Sequence, residues 1–128
     1  MPQPLRVRTL SGWFSVCRFA AGTTLPAWAL DGTFSSITRT EDELSVVCAA
    51  DVVPGWVQRE DGWRCLVLVG PFPFTMVGIL LSVLAPLAEA SVGIFALSTY
   101  DTDYVLVKDA DLARALEALT EAGHTVEP

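Results

Sequence analysis

The sequence predicts an α+β chain made of two tandem β-α-β-β-α-β units, the first degenerate, with antiparallel sheets. Three observations lead there. The second half alternates short β-branched runs with two helix-length runs, in the order strand, helix, strand, strand, helix, strand. The segment Thr38 to Val47 echoes Ser98 to Val107 at an offset of 60 residues: a hydroxyl-bearing strand end, an acidic turn, then a buried strand. Finally, 128 residues at 52% apolar against 18% charged suit one domain, or two small subdomains with a shared core. The expected subdomains are residues 1–62 and 63–128.

In order along the chain, Trp13 to Phe19 alternates as a strand should, followed by a loop with Gly22 and Thr23-Thr24. Leu25 to Leu30 is apolar but too brief for a helix, and Asp31-Gly32 signals a turn. Phe34 to Thr40 and Leu44 to Ala49 read as two strands around the acidic turn Glu41-Asp42-Glu43. Pro54-Gly55 and Asp61-Gly62 bracket a connector through Trp56 and Trp63, the expected subdomain boundary.

The second unit opens with a strand over Arg64 to Val69 and a turn at Gly70-Pro71-Phe72-Pro73, where proline excludes helix. A helix is expected from Phe74 to Ala90, with Pro86 costing it one backbone bond. Val92 to Tyr100 and Tyr104 to Lys108 form a hairpin. Asp109 suits the N-cap of a helix over Ala110 to Ala122, whose Leu112, Leu116 and Leu119 share a face. Gly123 stands where a left-handed C′ residue belongs, and His124 to Glu127 closes as a short strand. This order is the split pattern of ferredoxin-like units.

Composition excludes several functions. Intrinsic disorder needs low hydrophobicity, which this chain lacks. Eight Lys+Arg against 15 Asp+Glu, a net charge of −7, leave no basic footprint for nucleic acid. Cys65 to Ala88 carries no charge, and about 20 apolar residues can span a bilayer. The Gly70 to Pro73 break leaves a strand and a helix too short to span, so no membrane role is expected. No apolar h-region follows the N-terminal arginines, and Cys17, Cys48 and Cys65 lie apart in apolar runs, as reduced core thiols of a cytoplasmic protein would.

No enzyme is expected either. His124 is the lone histidine, and phosphate-binding glycine loops and metal-ligand spacings are absent from the sequence. Glu41-Asp42-Glu43 cannot all face one ion in an extended chain, so no metal and no cofactor are expected. The four tryptophans, Trp13, Trp28, Trp56 and Trp63, read as packing anchors.

The run Ser98-Thr99-Tyr100-Asp101-Thr102-Asp103-Tyr104-Val105-Leu106-Val107, after Ala85-Pro86-Leu87-Ala88-Glu89, resembles the small bacterial ACT-domain proteins. It is also similar to the ACT domains of the cytosolic arginine sensors. Pro26-Ala27-Trp28-Ala29-Leu30 and Ser36 to Cys48 extend the resemblance, which covers about Trp13 to Val126. The resemblance implies tandem ACT units, and a regulatory module that binds an amino acid or other metabolite at the interface between such units. It implies a ligand site at the loop Val69 to Thr75, hence Gly70, Phe74 and Thr75, and at the strand end, hence Ser98 and Thr99. Asp103 matches the acidic position that faces a basic ligand side chain in the sensors. The chain departs from bacterial relatives in carrying Val69 and Pro73 where they tend to carry acidic residues.

The residues carry the same chemistry without the family. Unpaired N–H groups at the start of the Phe74 helix can receive a carboxylate, and Gly70 lets backbone approach a ligand closely. Ser98 and Thr99 offer hydroxyls, and Asp101 or Asp103 a negative charge for an amine. The two aspartates equally suit a local role in shaping the hairpin turn. The expected function is a regulatory protein binding an amino acid, as a homodimer; the alternative is an interaction module that oligomerises through sheet edges without a small ligand.

Overall fold

The computed structural model describes residues 4–127 and divides into two compact units, residues 12–63 and residues 4–11 with 64–127. The expected boundary between 62 and 63 thus falls one residue later, and the segment ending at Ser11 belongs with the second unit rather than the first. That segment supplies a strand absent from the sequence reading, β1 (Arg6–Thr9), in which Val7 is fully buried between exposed Arg6 and Arg8. Four residues with two arginines are too short and too charged for periodicity to reveal.

The unit of residues 12–63 contains β2 (Phe14–Ala20), β3 (Ser36–Arg39), β4 (Glu43–Ala49) and the start of β5 (Arg59–Leu68), in the order β3-β4-β2-β5. Arg59 to Trp63, expected as a connector, extend the following strand and pair antiparallel with β2, as in Phe14↔Trp63. Gly62 lies in this strand at φ 83°, beside a shift in the pairing register, which hid the strand behind a turn signature. No α-helix occurs among this unit's described residues; single 3₁₀ turns stand at Ala27–Leu30 and Ala50–Val52. The βαββαβ pattern is therefore complete only in the second unit.

Cys17, Ala29, Leu44, Val46, Cys48 and Val57 form the core of the first unit. Of the four expected anchors, Trp28 packs on this core and stacks obliquely on Phe19 at 6.1 Å. Trp13 and Trp56 are instead exposed.

The second unit follows the predicted order: β5, α1 (Ile79–Glu89), β6 (Ile94–Ser98), β7 (Asp103–Lys108), α2 (Leu112–Glu121) and β8 (Thr125–Glu127). Its strands lie in the order β8-β1-β5-β7-β6. The β6–β7 hairpin is antiparallel as expected; the added strand β1 pairs antiparallel with β5 and parallel with β8. Val7, Leu66, Leu68, Val105 and Val107 from the strands, with Leu5 just before β1, bury against Val83 and Leu87 of α1 and Ala115 and Leu119 of α2. Burial of one such Leu or Val side chain is worth about 1.5–3 kcal/mol.

Both helices start later than the sequence suggests. α1 begins at Ile79 behind Gly78, whose φ of 82° ends the preceding loop, so Phe74 and Thr75 lie outside it. Thr75, Val77 and Gly78 are all weak helix formers, and the apolar character of the stretch masked that. α2 begins at Leu112 after a 3₁₀ turn. Asp109 does not cap it; its carboxylate pairs with Arg64 at 3.1 Å. Gly123, at φ 99°, closes α2 as expected: its N–H donates to the Thr120 carbonyl at 3.0 Å and that of His124 to the Leu119 carbonyl at 3.0 Å.

Pro86 deprives the Ser82 carbonyl, four residues before it, of a helical donor. His124 fills the vacancy, with Nε2 2.9 Å from that oxygen. Its other ring nitrogen, Nδ1, accepts the Leu5 N–H at 3.0 Å. A carbonyl can only accept and an amide N–H can only donate, so these partners assign the proton to Nε2 of a neutral ring. His124 as a residue is 7% exposed, and its ring joins the beginning of β1, α1 and the end of α2.

Candidate functional site

The turn between β6 and β7 spans Thr99 to Thr102, flanked by the pair Ser98↔Asp103. The Thr99 N–H donates to the Thr102 carbonyl at 2.8 Å, and the Thr102 N–H returns to the Thr99 hydroxyl at 3.3 Å. The Ser98 hydroxyl donates to the Asp103 carboxylate. Short-range chemistry of this kind needs only the turn's own residues.

Longer contacts bind the turn to the loop after β5. The Thr102 hydroxyl donates to the Leu68 carbonyl at 2.5 Å, and the Phe72 N–H to the Asp101 carbonyl at 2.9 Å. Gly70 lies so close that a Cβ there would stand 3.1 Å from the Asp101 carbonyl and 3.1 Å from Phe72. Phe74 crosses Tyr100 edge to face at 4.9 Å between ring centres, although both side chains remain largely exposed.

Loop and turn enclose an open cleft of about 190 Å³. Four of the expected site residues line it: Phe74, Ser98, Thr99 and Asp103. Gly70 and Thr75 are not among its lining residues; Gly70 serves the close approach of the two loops, and Thr75 sits exposed in a turn closed by Met76 N–H to the Pro73 carbonyl at 3.0 Å. The expected helix start at Phe74 is replaced by Ile79, whose side of the cleft is where α1 begins.

Phe72 lies in the loop expected to hold the site, but Met76, Ile79 and Tyr100 were not singled out, and all four supply apolar surface to the cleft. An apolar residue in an uncharged run looks like core, so no local signal separates Met76 and Ile79 from buried neighbours. Among the described residues that line the cleft, Asp101 and Asp103 are carboxylates and none is basic. The cleft therefore offers carboxylate and hydroxyl oxygens beside apolar walls, a surface suited to an amine held next to a short hydrocarbon. Among the described residues, no group of three or more His, Cys, Asp or Glu side chains is placed to hold a metal, and no helix is long and apolar enough to cross a membrane.

Comparison with known proteins accords with this architecture. An ACT-domain family model matches residues 58–121, and a model described as an N-terminal domain matches residues 12–56. A crystal structure of an Agrobacterium tumefaciens protein is 42% identical with a TM-score of 0.93, covering 98% of this chain and 94% of that one. The regulatory subunit of aspartate kinase from Thermus flavus shares the fold at 9% identity and a TM-score of 0.66, over 94% of this chain and 99% of that one. The human cytosolic arginine sensor for mTORC1 subunit 1 is 48% identical over 40 residues, 31% of this chain. The match spans only 12% of the sensor's own length. With half its residues under the ACT model and a near full-length relative of the same fold, the chain belongs to the ACT-domain family, a family of regulatory modules.

Proposed function

We propose that this ACT-domain chain is a cytoplasmic small-molecule sensor that binds an amino acid in the cleft between the 69–78 loop and the β6–β7 turn. The observation that carries the reading is the convergence of Ser98, Asp103, Phe74 and Ile79 on one cleft from separate elements. Its volume of about 190 Å³ is below the roughly 300–1,000 Å³ of drug-sized sites, which favours a metabolite of amino-acid size. Asp103 receives the ligand's amine, the apolar wall takes its hydrocarbon, and N–H groups at the start of α1 receive its carboxylate. The match to an arginine sensor and the fold of an aspartate kinase regulatory subunit support an amino acid over other metabolites. Pairing of ACT units in a homodimer would cover the cleft's open side.

A thermal-shift screen of the common amino acids at millimolar concentration, on protein freed of copurified ligand, tests this. A true ligand at 100 times its dissociation constant adds about 2.7 kcal/mol, a rise of several degrees in melting temperature. No response to any amino acid overturns the reading.

One observation favours a second reading, an interaction module without a small ligand. Phe74 and Tyr100, in contact with each other at the cleft, are 74% and 80% exposed, and Met76 beside them is 45% exposed. Apolar side chains so exposed together suit a protein partner. A stable dimer in solution with no amino-acid response would select this alternative.

A further inference from the structure

We propose that His124 is a proton-operated clasp on the N-terminal end of β1. Its two ring nitrogens hold opposite kinds of backbone group: Nδ1 accepts from the Leu5 N–H at 3.0 Å, and Nε2 donates to the Ser82 carbonyl at 2.9 Å. Only the neutral ring satisfies both. A proton added at Nδ1 leaves the Ser82 bond intact but turns the acceptor for Leu5 into a second donor, facing an N–H. The Leu5 amide is buried and then has no acceptor.

The surroundings make this bond a point of leverage. The Leu5 carbonyl receives the Thr125 N–H at 2.8 Å, and the next carbonyl, of Arg6, receives the Val69 N–H at 2.9 Å. Val69 precedes Gly70, so the clasp lies one residue from the strand end that feeds the cleft loop. The charged groups around the ring are few. Glu89 of α1 lines the same cavity of about 450 Å³, beside Pro86, Ala122 and Pro4. Glu121 of α2 lines the adjoining groove with Glu89, and Arg6 of β1 pairs with Glu127 of β8 at 3.4 Å. The two glutamates offer a nearby negative field for an imidazolium, but neither gives the Leu5 N–H an acceptor in this arrangement.

The clasp does not depend on whether the cleft binds an amino acid, and its test uses no ligand. In the full chain, NMR follows the His124 ring through a titration from pH 8 to pH 4 while hydrogen exchange, corrected for its intrinsic pH dependence, reports the Leu5 and Val69 amides. As the ring protonates, protection at Leu5 should fall about tenfold or more, with a smaller loss at Val69. His124→Asn keeps an acceptor at the Nδ1 position and does not titrate, so its Leu5 protection should not change with pH over this range. His124→Gln keeps a donor near the Nε2 position instead and should lose Leu5 protection at every pH. Three outcomes overturn the proposal: Leu5 protection unchanged as the ring protonates, a ring that stays neutral to pH 4 in folded protein, or an equal acid-induced loss in His124→Asn. Should neither variant fold, the wild-type titration still decides between the first two outcomes and the expected one.

Discussion

The β3–β4 and β6–β7 hairpins share a turn and little else. Each has four turn residues beginning with threonine: the Thr40 N–H donates to the Glu43 carbonyl at 2.9 Å, and the Thr99 N–H to the Thr102 carbonyl at 2.8 Å. The Thr40 hydroxyl accepts the Asp42 and Glu43 N–H groups much as that of Thr99 accepts the Thr102 N–H. The flanking pairs, Arg39↔Leu44 and Ser98↔Asp103, set the true offset at 59 residues, one less than the sequence echo suggests. A one-residue slip in a strand reverses every side chain's face, so Asp103 corresponds to a buried leucine and not to the acidic turn. The first hairpin turns its equivalent position into core; the second leaves it at the mouth of a cleft because another loop docks there. The same turn comes to line a cleft only through what it packs against.

The largest expected effect separates the flanking positions. Leu44 is fully buried, so Leu44→Ala should cost about 2–5 kcal/mol in denaturant unfolding. Asp103→Asn at the corresponding place should change stability little, yet remove the melting response to an amino-acid ligand. A large stability loss at Asp103 with an unchanged ligand response would erase the contrast between core and site.

Loop docking is the next test. Thr102→Val deletes the donor to the Leu68 carbonyl and should cost about 1–3 kcal/mol. Glu43→Ala, at the matching position of the first turn, should stay within about 0.5 kcal/mol because its role there is carried by the backbone. Gly70→Ala should weaken the second hairpin alone, by about 1–3 kcal/mol, since the new Cβ crowds the Asp101 carbonyl.

The thiols compare the two units in a different way. Burial pushes Cys65 up to about 12; burial pushes Cys48 to about 12 as well, with its neighbour Cys17 adding to the rise. Each folded thiol therefore resists ionisation more than its unfolded counterpart, so its contribution is complete below about pH 9 and is lost as pH rises toward 12. Stability should fall across that window, less steeply in Cys65→Ala, and a flat profile would contradict the burial. Alkylation at pH 8 should likewise wait on unfolding for both residues.

The smallest effect concerns the end of α1. Ser91 holds a left-handed φ of 60°, while Arg114 ties down the carbonyls of Ala90 at 3.1 Å and Ser91 at 3.3 Å. Ser91→Gly should raise stability by about 0.5–1 kcal/mol, the relief of strain less the added freedom of the unfolded chain. At the corresponding end of α2, where Gly123 already stands, Gly123→Ala should do the reverse.

Legibility followed the range of the interaction. β4, β7 and the C-terminus of α2 could be read because β-branched alternation and a terminal glycine act over a few residues. β1 could not, since Arg6-Val7-Arg8-Thr9 becomes a strand only with β5 and β8 on either side. In the cleft, Ser98, Thr99 and Asp103 were visible as polar residues at a strand end, whereas Met76 and Ile79 could not be told from core.

By itself the sequence determined the α+β class, the βαββαβ order of the second unit and the presence of both hairpins, all products of contacts within a few residues; that threonine hydroxyls rather than the acidic side chains close the two turns came from the structure. Only the tertiary structure decided that one turn meets a loop and the other a core, and that His124 supplies the donor Pro86 removes. Those outcomes rest on hydrogen bonds between groups 34 to 119 residues apart, as from Thr102 to Leu68 and from Leu5 to His124, which no local pattern encodes.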